Sequence, residues 1–363
     1  MYLIYVPYGK LIDKINCPED CKMLLNRIKK LAHGPSEHAF YCNALQGNST
    51  YNICINCDMT VSCNCQDFDG SGHIGNLRTH SFVEIFRSGK VQQFREKLAR
   101  GEYAIPVCSH CSELRKVAKN EGDQYLKGYD LPKALMIENS ILCNLSCRFC
   151  DRMVQKIRSQ KRMSLEDIEL VARLIHDLGI VDVSYHNLGE PFFSDTFPQE
   201  ISILKKHNPE LRLWMSTNGV MADTVEKVRA AVEFQHIYFS IAGPSQEILV
   251  KYQQRGNFDK AFNNMRRVVE ERNRQGRTRP IVEWKYVVFR WNDKVDHINR
   301  AIELARVAGV DLISFMYGDA SRLHSSWRYK HSAFFKKLGE PSWRGREIWL
   351  KHPQGVGNNE EKS

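Results

Sequence analysis

Short apolar runs recur at regular spacing in the second two-thirds of the chain. Six of them are rich in β-branched and aromatic residues, which favours strands, and the segments between them repeat apolar positions at helical spacing. The predicted strands lie at about residues 133–139, 181–186, 211–216, 236–241, 281–289 and 311–316. Strands that alternate with helices predict an α/β domain whose parallel sheet is joined by right-handed crossovers.

The segment "SLEDIELVARLIHDLG" is the clearest predicted helix. Ser164 is placed to cap its first turn, Asp167 follows three residues later, and Gly179 is placed to end it. Its apolar stripe is formed by Leu165, Ile168, Val171, Ala172, Ile175 and Leu178. A second helix is predicted over residues 296–308, where apolar residues recur at the same spacing.

Cysteine is distributed unevenly along the chain. Nine of the twelve cysteines precede residue 112, three lie in "ILCNLSCRFC", and none follows Cys150. This distribution indicates two separate regions that use thiols. The stretch between them is polar and contains two glycines, which predicts a linker. The expected divisions are an N-terminal domain at 1–115, a linker at 116–132, an α/β domain at 133–320 and a tail at 321–363.

Composition narrows the class of protein. With 363 residues and 42% hydrophobic residues, the chain has enough apolar side chains for a full core and more than one domain. The net charge of +10 fits either an anionic partner or a surface that stays soluble. No run approaches the roughly 18 apolar residues of a membrane span, and the start lacks the basic segment typical of a signal peptide. A cytoplasmic protein is expected, in which thiols indicate metal binding or catalysis rather than disulfides.

The triplet Cys143, Cys147 and Cys150 directly follows the first predicted strand. Ligands of parallel α/β sheets collect at the carboxyl ends of the strands, so this loop is expected at that edge. A tetrahedral structural zinc site would need a fourth ligand from elsewhere. A [4Fe–4S] cluster held by three thiolates instead keeps one iron open to a ligand that is not protein. The spacing favours the cluster, and zinc is the alternative.

The C-x3-C-x2-C spacing, with Phe149 before the third cysteine, resembles the signature of the radical S-adenosylmethionine (radical SAM) superfamily. "NLGEP" resembles the Gly-Gly-Glu element of that family, although Leu188 replaces one glycine, and "MSTNG" resembles its Ser-Thr-Asn-Gly element. Ser240 in "YFSIAG" matches the polar residue that ends the fourth strand. The resemblance covers residues 133–317 and implies a partial (β/α)6 TIM-like barrel with the cluster and S-adenosylmethionine at its top.

This resemblance also implies a reaction and a set of binding residues. Members of the family cleave S-adenosylmethionine at a [4Fe–4S] cluster to a 5′-deoxyadenosyl radical, which abstracts hydrogen from a substrate. The three loop cysteines would hold the cluster, and Glu190 would accept hydrogen bonds from the methionine ammonium. The other expected contacts to S-adenosylmethionine are Gly189, Ser216, Thr217, Asn218 and Ser240. A solvated loop acid and an ordinary strand-end turn are the alternatives for Glu190 and for residues 216–218.

The N-terminal cysteines resemble the SPASM-type auxiliary iron–sulfur domain, although that domain follows the barrel in most relatives. The shared features are "CQD", "IGNL", "FVEIFRSGKVQQFREKL" and a terminal C-x2-C pair. The resemblance implies an auxiliary [4Fe–4S] cluster, with a structural zinc clip as the alternative. The expected ligands are Cys42, Cys63, Cys65, Cys108 and Cys111.

The choice among the upstream cysteines stays open. Cys65 is favoured over Cys63 for the Cys-x-Asp position of the family, and Cys54 and Cys57 are alternatives to Cys42. The number of thiols also leaves room for a second auxiliary cluster. No metal role is expected for the two cysteines nearest the N-terminus, Cys17 and Cys21.

The stretch 321–363 combines aromatic and basic residues. It would either cover the barrel mouth and contact a phosphate-bearing substrate, or pack its aromatic side chains on the barrel and expose its charges, which is favoured. The aromatic residues are Trp327, Phe334, Phe335, Trp343 and Trp349, and the basic residues are Arg322, Arg328, Lys330, Lys336, Lys337, Arg344 and Arg346. Residues 354–363 are expected to be disordered.

Three classes of function are compatible with these features. The first is a radical enzyme that oxidises, epimerises or decarboxylates a small or carrier-linked molecule such as a sugar or nucleotide-sugar, with Tyr185 or Tyr317 as candidate hydrogen donor. The second is a peptide- or protein-modifying maturase. The third is a non-catalytic iron–sulfur or zinc-binding protein with nucleic acid as partner, which no additional RNA-binding module supports. Both enzyme classes imply a low-potential electron donor such as flavodoxin or ferredoxin.

Overall fold

The computed structural model describes residues 37–351, apart from 50, 66, 68, 127, 154–157, 319, 321–322 and 343–344. The expectations for Cys17, Cys21, Arg322, Trp343, Arg344 and residues 354–363 lie outside the described residues. In the part of the chain that is described, no helix is both long and apolar enough to cross a membrane.

The strands of the described residues form one large sheet and one small one. They are β1 (His38–Cys42), β2 (Cys54–Ile55), β3 (Thr60–Ser62), β4 (His73–Asn76), β5 (Leu114–Ala118), β6 (Ala134–Ile137), β7 (Asp182–Ser184), β8 (Arg212–Thr217), β9 (His236–Ser240), β10 (Ile281–Val288), β11 (Leu312–Tyr317), β12 (Glu340–Pro341) and β13 (Arg346–Trp349). The large sheet has the order β12-β13-β11-β10-β9-β8-β7-β6-β2-β3-β4, and β1 pairs with β5.

The centre of the large sheet is a run of six parallel strands, β6 to β11, in the order in which they occur in the chain. Each coincides with one of the six predicted strands. Parallel strands that are neighbours in sequence need a crossover between them, and helices supply it. The α/β fold with a partial barrel is therefore confirmed.

Helices cover the outer face of this barrel and pack beside the N-terminal strands. They are α1 (Phe82–Phe86), α2 (Gly89–Ala99), α3 (Leu165–Leu178), α4 (Phe197–His207), α5 (Val225–Ala231), α6 (Gln246–Leu249), α7 (Phe258–Arg274), α8 (Val295–Ala308), α9 (Trp327–His331) and α10 (Ala333–Lys337). The predicted cap of α3 is present, because Ser164 and Asp167 each accept a hydrogen bond from the other's backbone N–H. Gly179 ends the helix in the left-handed conformation with φ of 59°.

The N-terminal region continues the barrel sheet. β2 lies parallel to β6, with Cys54 opposite Met136, and β3 and β4 extend the sheet with antiparallel pairing. Consequently the first barrel strand is not an edge strand. Pairing of two segments about 80 residues apart in sequence is a long-range feature that no local pattern encodes.

The C-terminal tail adds to the opposite side of the same sheet. β13 pairs antiparallel with β11, and β12 pairs with β13. Phe335 is 1% exposed, and the Tyr329 hydroxyl donates to the Phe315 carbonyl at 2.9 Å. Trp327, in contrast, is 69% exposed. The tail therefore packs part of its aromatic surface on the barrel and leaves part of it open.

The predicted linker at 116–132 has two structurally different parts. Its first residues belong to β5, which pairs with β1, and to the 3-10 helix Lys119–Leu126. Gly122 of that helix packs so closely that a Cβ would lie 2.9 Å from the Cβ of Ala39. Residues 128–132 have no regular structure. The division into domains stays a prediction. The first part of the predicted linker packs against the N-terminal region.

A buried arginine connects the N-terminal region to the barrel. Arg158 Nε donates to Glu138, just after β6, at 3.0 Å, and its Nη2 donates to Asn56 at 2.7 Å. Its Nη1 lies 2.9 Å from Nε2 of His73 on β4. The side chains of Arg158 and Glu138 are 1% and 0% exposed. One guanidinium therefore ties together β2, β4 and the end of β6.

Substitution of Arg158 tests this connection. Arg158→Met leaves the Glu138 carboxylate buried without its cation, and we expect a loss of stability of about 3–5 kcal/mol. The control is Arg300→Met, because Arg300 and Glu303 form an exposed pair at 3.4 Å and its loss should change stability by less than about 1 kcal/mol. Urea unfolding followed by far-ultraviolet circular dichroism measures both. Equal midpoints for the two variants would contradict the prediction.

Candidate active site and auxiliary cluster site

The three-cysteine loop follows β6 at the carboxyl edge of the barrel sheet. Backbone hydrogen bonds join the loop to the segment that follows α6. Ser146 N donates to the Gln254 carbonyl at 3.1 Å, and Arg148 N donates to the Tyr252 carbonyl at 3.0 Å. The loop is therefore attached to a neighbouring segment of the barrel through its backbone, whatever side chains it carries.

The loop thiols repel one another as thiolates. Burial and the charge of Glu190 raise the pKa of Cys143 to about 11. Burial and the neighbouring Cys150 and Cys143 raise the pKa of Cys147 to about 12. Bound iron would reverse this effect, because a metal ion stabilises the thiolate that ligates it. The three half-buried thiols therefore fit a group that brings positive charge into the loop.

The three loop thiols match the donor set of a cubane cluster with one open iron. Among the described residues, no group of three His, Cys, Asp or Glu side chains is arranged to hold a single metal ion. In a cubane cluster the thiolates do not converge on one ion, because each binds a different iron at a separate corner of the cluster. The donor set present fits a [4Fe–4S] cluster with one iron left for a ligand that is not protein.

Glu190 joins the ends of two neighbouring barrel strands. It is 2% exposed, and it accepts hydrogen bonds from Thr217 Oγ1 at 2.6 Å, from Asn218 N at 2.7 Å and from Phe192 N at 3.2 Å. Burial raises the pKa of Glu190 to about 6, although these hydrogen bonds favour the charged form. A carboxylate has about four acceptor sites, so one remains for a ligand.

Asn218 connects this carboxylate to the cysteine loop. Its Nδ2 lies 3.7 Å from the Cys143 sulfur and donates to Asn144 Oδ1 at 3.0 Å. Glu190 N donates to the Leu142 carbonyl at 2.8 Å. The structure thus brings together the cysteine loop, the Gly-Glu element and the Thr-Asn part of the third element. Thr217 contributes through its contact with Glu190.

Two glycines make these close approaches possible. A Cβ on Gly189 would lie 1.8 Å from the Ser140 carbonyl oxygen, which no side chain allows. Gly219 has φ of 77°, in the left-handed region, and a Cβ there would lie 2.9 Å from the Phe239 ring. Gly189 therefore sets the distance between the β7 loop and the chain after β6.

Ser216 and Ser240 face the barrel interior. Their hydroxyl oxygens lie 3.1 Å apart, and Lys285 Nζ donates to Ser216 at 3.0 Å. Ser216 and Lys285 line a cavity of about 360 Å³ that Trp214 and Tyr51 also line. Tyr51 comes from the N-terminal region, so that region contributes to the wall of the cavity.

Sequence reasoning assigned no role to most residues of this cavity, among them His186, Lys285 and Tyr51. The buried Nδ1 of His186 has no hydrogen-bond partner among the residues that the structure describes, and burial, followed by the charge of Lys285, lowers the pKa of His186 to about 3. The alternation of side chains along a strand could have identified the first two, because each shares the inward face of its strand with Ser184 or Glu283. No pattern in the sequence indicated that Tyr51 lines the cavity.

The same alternation directs both candidate hydrogen donors away from the cavity. Tyr185 is fully buried on the helix side, and its hydroxyl donates to Glu200 at 2.7 Å. Tyr317 ends β11, and Lys330 Nζ lies 4.1 Å from the centre of its ring. Neither tyrosine lines the cavity.

A second group of thiols lies in the N-terminal region. Four cysteines line one cavity between β1, α2 and the 3-10 helix Pro106–His110. Burial, followed by Cys111 and Cys108, raises the pKa of Cys42 to about 12, and Asn64 Nδ2 donates to the Cys111 sulfur at 3.0 Å. The four are Cys42, Cys63, Cys108 and Cys111. Their number and convergence fit a fully ligated [4Fe–4S] cluster.

The structure brings Cys63, rather than the favoured Cys65, into this group. Cys63 N donates to the Gly72 carbonyl at 3.0 Å, so its position is held by the β3–β4 hairpin, and the chain turns at Cys65. Cys54 and Cys57 are fully buried elsewhere. Cys65, Cys54 and Cys57 are absent from the described lining of the four-thiol cavity.

A partial α/β barrel with a three-thiol loop at the carboxyl edge of its strands is the framework of an enzyme whose iron–sulfur cluster has an open coordination position. Family models agree: one described as the radical SAM superfamily matches residues 140–281, and one described as an iron–sulfur cluster-binding domain (SPASM) matches residues 42–112. The chain contains a radical SAM domain and, ahead of its barrel, a SPASM domain. Its cofactors are a [4Fe–4S] cluster, S-adenosylmethionine and auxiliary iron–sulfur.

Known proteins resemble parts of the chain. It is 28% identical over 193 residues to the mycofactocin maturase MftC of Mycolicibacterium smegmatis (strain ATCC 700084 / mc(2)155), covering 52% of this chain and 46% of that protein. The chain thus spans about half the length of this curated relative. One similar solved structure is TYW1 with a lysine-pyruvate adduct bound, with 15% sequence identity and a TM-score of 0.39, covering 59% of this chain and 76% of that one. Another is native anSMEcpe with bound AdoMet, with 17% identity and a TM-score of 0.37, covering 52% of this chain and 53% of that one.

Gly189→Ala tests the close approach beside the cysteine loop. We expect the loop to lose most of the about four irons of its cluster, because the new methyl group displaces the β7 loop from Ser140. Gly89→Ala is the control, since a Cβ there meets nothing within 4 Å. Iron and acid-labile sulfide are measured after anaerobic reconstitution. Parent-like iron in Gly189→Ala would show that the approach does not matter.

Cys63→Ala and Cys65→Ala distinguish the two candidate ligands. Both are made in a chain whose three loop cysteines are alanine, so that the remaining iron reports the auxiliary site. We expect Cys63→Ala to remove most of the about four auxiliary irons and Cys65→Ala to retain them, because only Cys63 lines the four-thiol cavity. The opposite result would assign the site to Cys65.

Proposed function

We propose that this chain abstracts hydrogen from a small or carrier-linked substrate held in the barrel cavity. When bound, the cluster and S-adenosylmethionine supply the 5′-deoxyadenosyl radical that performs the abstraction. One observation carries the proposal: residues at the end of β8 contact both the proposed cofactor site and the cavity. Thr217 and the next residue, Asn218, contact Glu190 and the cysteine loop, whereas Ser216 faces the cavity beside Lys285. Substrate and cofactor would therefore meet at the end of one strand.

The residues around the loop would orient the cofactor and limit access of water. Cys143, Cys147 and Cys150 are the proposed cluster ligands, and the remaining acceptor site of Glu190 would bind the methionine ammonium. The ring of Phe149 lies 5.9 Å from Phe289 and 5.2 Å from His324. These rings cover one side of the loop, where exclusion of water protects a reactive radical.

The size of the cavity supports a small-molecule substrate. At about 360 Å³ it lies within the range of roughly 300–1,000 Å³ that is usual for such sites. A sugar or nucleotide-sugar is the proposed class, with oxidation, epimerisation or decarboxylation as the outcome. No cysteine is among the described residues that line the cavity, which favours a redox outcome over epimerisation. The auxiliary cluster would anchor the substrate or accept its electron.

A peptide- or protein-modifying reaction is the second candidate. One finding favours it: the curated relative that matches 52% of the chain is named a maturase.

In either case a low-potential donor such as flavodoxin or ferredoxin would deliver the electron that starts the reaction. The net charge of +10 suits an acidic protein of this kind.

Replacement of the three loop cysteines tests the proposed function. The parent, reconstituted without oxygen, should hold about eight irons in two [4Fe–4S] clusters, and Cys143→Ala/Cys147→Ala/Cys150→Ala should hold about four. Only the parent should form 5′-deoxyadenosine from S-adenosylmethionine with dithionite as reductant. Product is measured by chromatography and iron by colorimetric assay.

The control for this test is Cys65→Ala, which removes a thiol without touching the loop. It should keep both the iron and the 5′-deoxyadenosine of the parent. If the triple variant loses no iron, or if the parent binds zinc throughout, the chain is not the proposed radical enzyme.

A further inference from the structure

A buried side-chain amide contacts one of the four thiols in the N-terminal region. Asn64 is 4% exposed, and its Nδ2 donates to the Cys111 sulfur at 3.0 Å. A thiolate can only accept hydrogen bonds, so a metal-bound Cys111 would keep the amide nitrogen, rather than its oxygen, directed toward the sulfur. The contact joins the loop after β3 to the end of the 3-10 helix Pro106–His110.

The loop that carries Asn64 is closed by a buried acid. Asp67 is 2% exposed and accepts hydrogen bonds from Ser62 Oγ at 2.9 Å and from Gly72 N at 2.9 Å. The backbone N–H of Cys63 also donates to the Gly72 carbonyl at 3.0 Å. Both ends of the loop are therefore fixed, and the amide needs no rearrangement of the loop to reach the sulfur.

The surroundings of this contact are largely apolar. Leu45, Phe94 and Ile105 line the same four-thiol cavity. A hydrogen bond to a charged group is stronger in such surroundings than in water. Hydrogen bonds to the sulfurs are among the factors that set the reduction potential of an iron–sulfur cluster. Because the reduced cluster carries one more negative charge than the oxidised one, a donor at a ligand sulfur favours reduction.

Charged side chains also lie near the four thiols. Arg95 is buried and donates to the Leu45 carbonyl at 2.8 Å, and Asp67 and Glu113 are buried acids. These groups contribute to the potential in either direction. They are the same in the parent and in a variant of Asn64, so a comparison of the two isolates the effect of the amide.

Cys111 lies near a wall of the barrel cavity. Burial, followed by the charges of Glu113, Cys65 and Cys111, raises the pKa of the Tyr51 hydroxyl, and Tyr51 lines the barrel cavity. The sulfur that accepts from Asn64 is therefore close to the place where the substrate would bind. Four thiolates leave no iron open to substrate, so electron transfer is the role that the potential would serve.

We propose that Asn64 raises the reduction potential of the auxiliary cluster through its hydrogen bond to Cys111. Asn64 acts through the ligand, so it is a positioning residue and not a catalytic one. The inference rests on the proposed function, because it concerns the auxiliary cluster of the same enzyme. It specifies how the chain would make that cluster a better acceptor for an electron from the substrate.

The potential of the auxiliary cluster tests this assignment. Variants are made in a background chain whose three loop cysteines are alanine, reduced stepwise with titanium(III) citrate and followed by electron paramagnetic resonance. At the potential that half-reduces the background chain, Asn64→Leu should lower the ratio of reduced to oxidised cluster at least threefold, because it removes the donor. Asn64→Asp should lower it further, because a carboxylate adds a negative charge beside the sulfur.

The matched control is Asn208→Leu, which removes an amide that donates to the Ala172 carbonyl at 2.9 Å on α3. It should leave the ratio within threefold of the background value. All proteins should retain about four irons, since the proposed effect is on the potential and not on assembly.

The inference is wrong if either Asn64 variant keeps the ratio within threefold of the background value, or if the control shifts as much. Loss of most iron from both Asn64 variants would also overturn it, because Asn64 would then serve cluster assembly. A background chain without an iron–sulfur cluster would refute the auxiliary site and this inference together. Formation of 5′-deoxyadenosine by the parent, measured separately, tests the radical function independently of these results.

Discussion

The buried carboxylate of Glu190 is the interaction on which the rest of the site depends. It binds the end of β8 through Thr217 and Asn218, and its own backbone N–H binds the chain just before the first cysteine. Without it, the Thr217 hydroxyl and the backbone N–H groups of Asn218 and Phe192 would remain buried and unsatisfied, each at a cost of about 1–3 kcal/mol. The same carboxylate that is expected to touch the cofactor thus also assembles the loops around it.

Alternation along β8 separates two tasks within three residues. Thr217 points toward Glu190 and the cysteine loop, whereas Ser216 points into the barrel cavity. A cofactor at the strand ends and a substrate inside the barrel would therefore be held by neighbouring side chains. Because these side chains are neighbours on one strand, a reactive species would travel only a short distance from cofactor to substrate. A long flexible loop would fix that distance less reliably.

Much of this arrangement could be predicted from the sequence. The strands and the capped helix α3 follow from local periodicity, and parallel strands bring their polar ends together, so the motif residues were expected to meet. The choice between Cys63 and Cys65 could not be made from the sequence, because a turn at Cys65 decides which thiol enters the four-thiol cavity. Tyr185 lies on the helix side of its strand, which its position one residue before the inward-facing His186 already indicates. Lys285 resembled an ordinary charged residue within a strand, because only the folded barrel shows that it lines the cavity.

The pairing of β2 with β6 could not be predicted, because it joins two segments that are far apart in sequence. It has a consequence for how any peptide could be recognised. An extended peptide commonly binds by adding a strand to an exposed sheet edge. Here β2 occupies the edge of the first barrel strand, and β13 occupies that of the last. A peptide would therefore have to reach the cavity end-on, presenting a terminus or a single side chain, rather than lie along the barrel as one more strand.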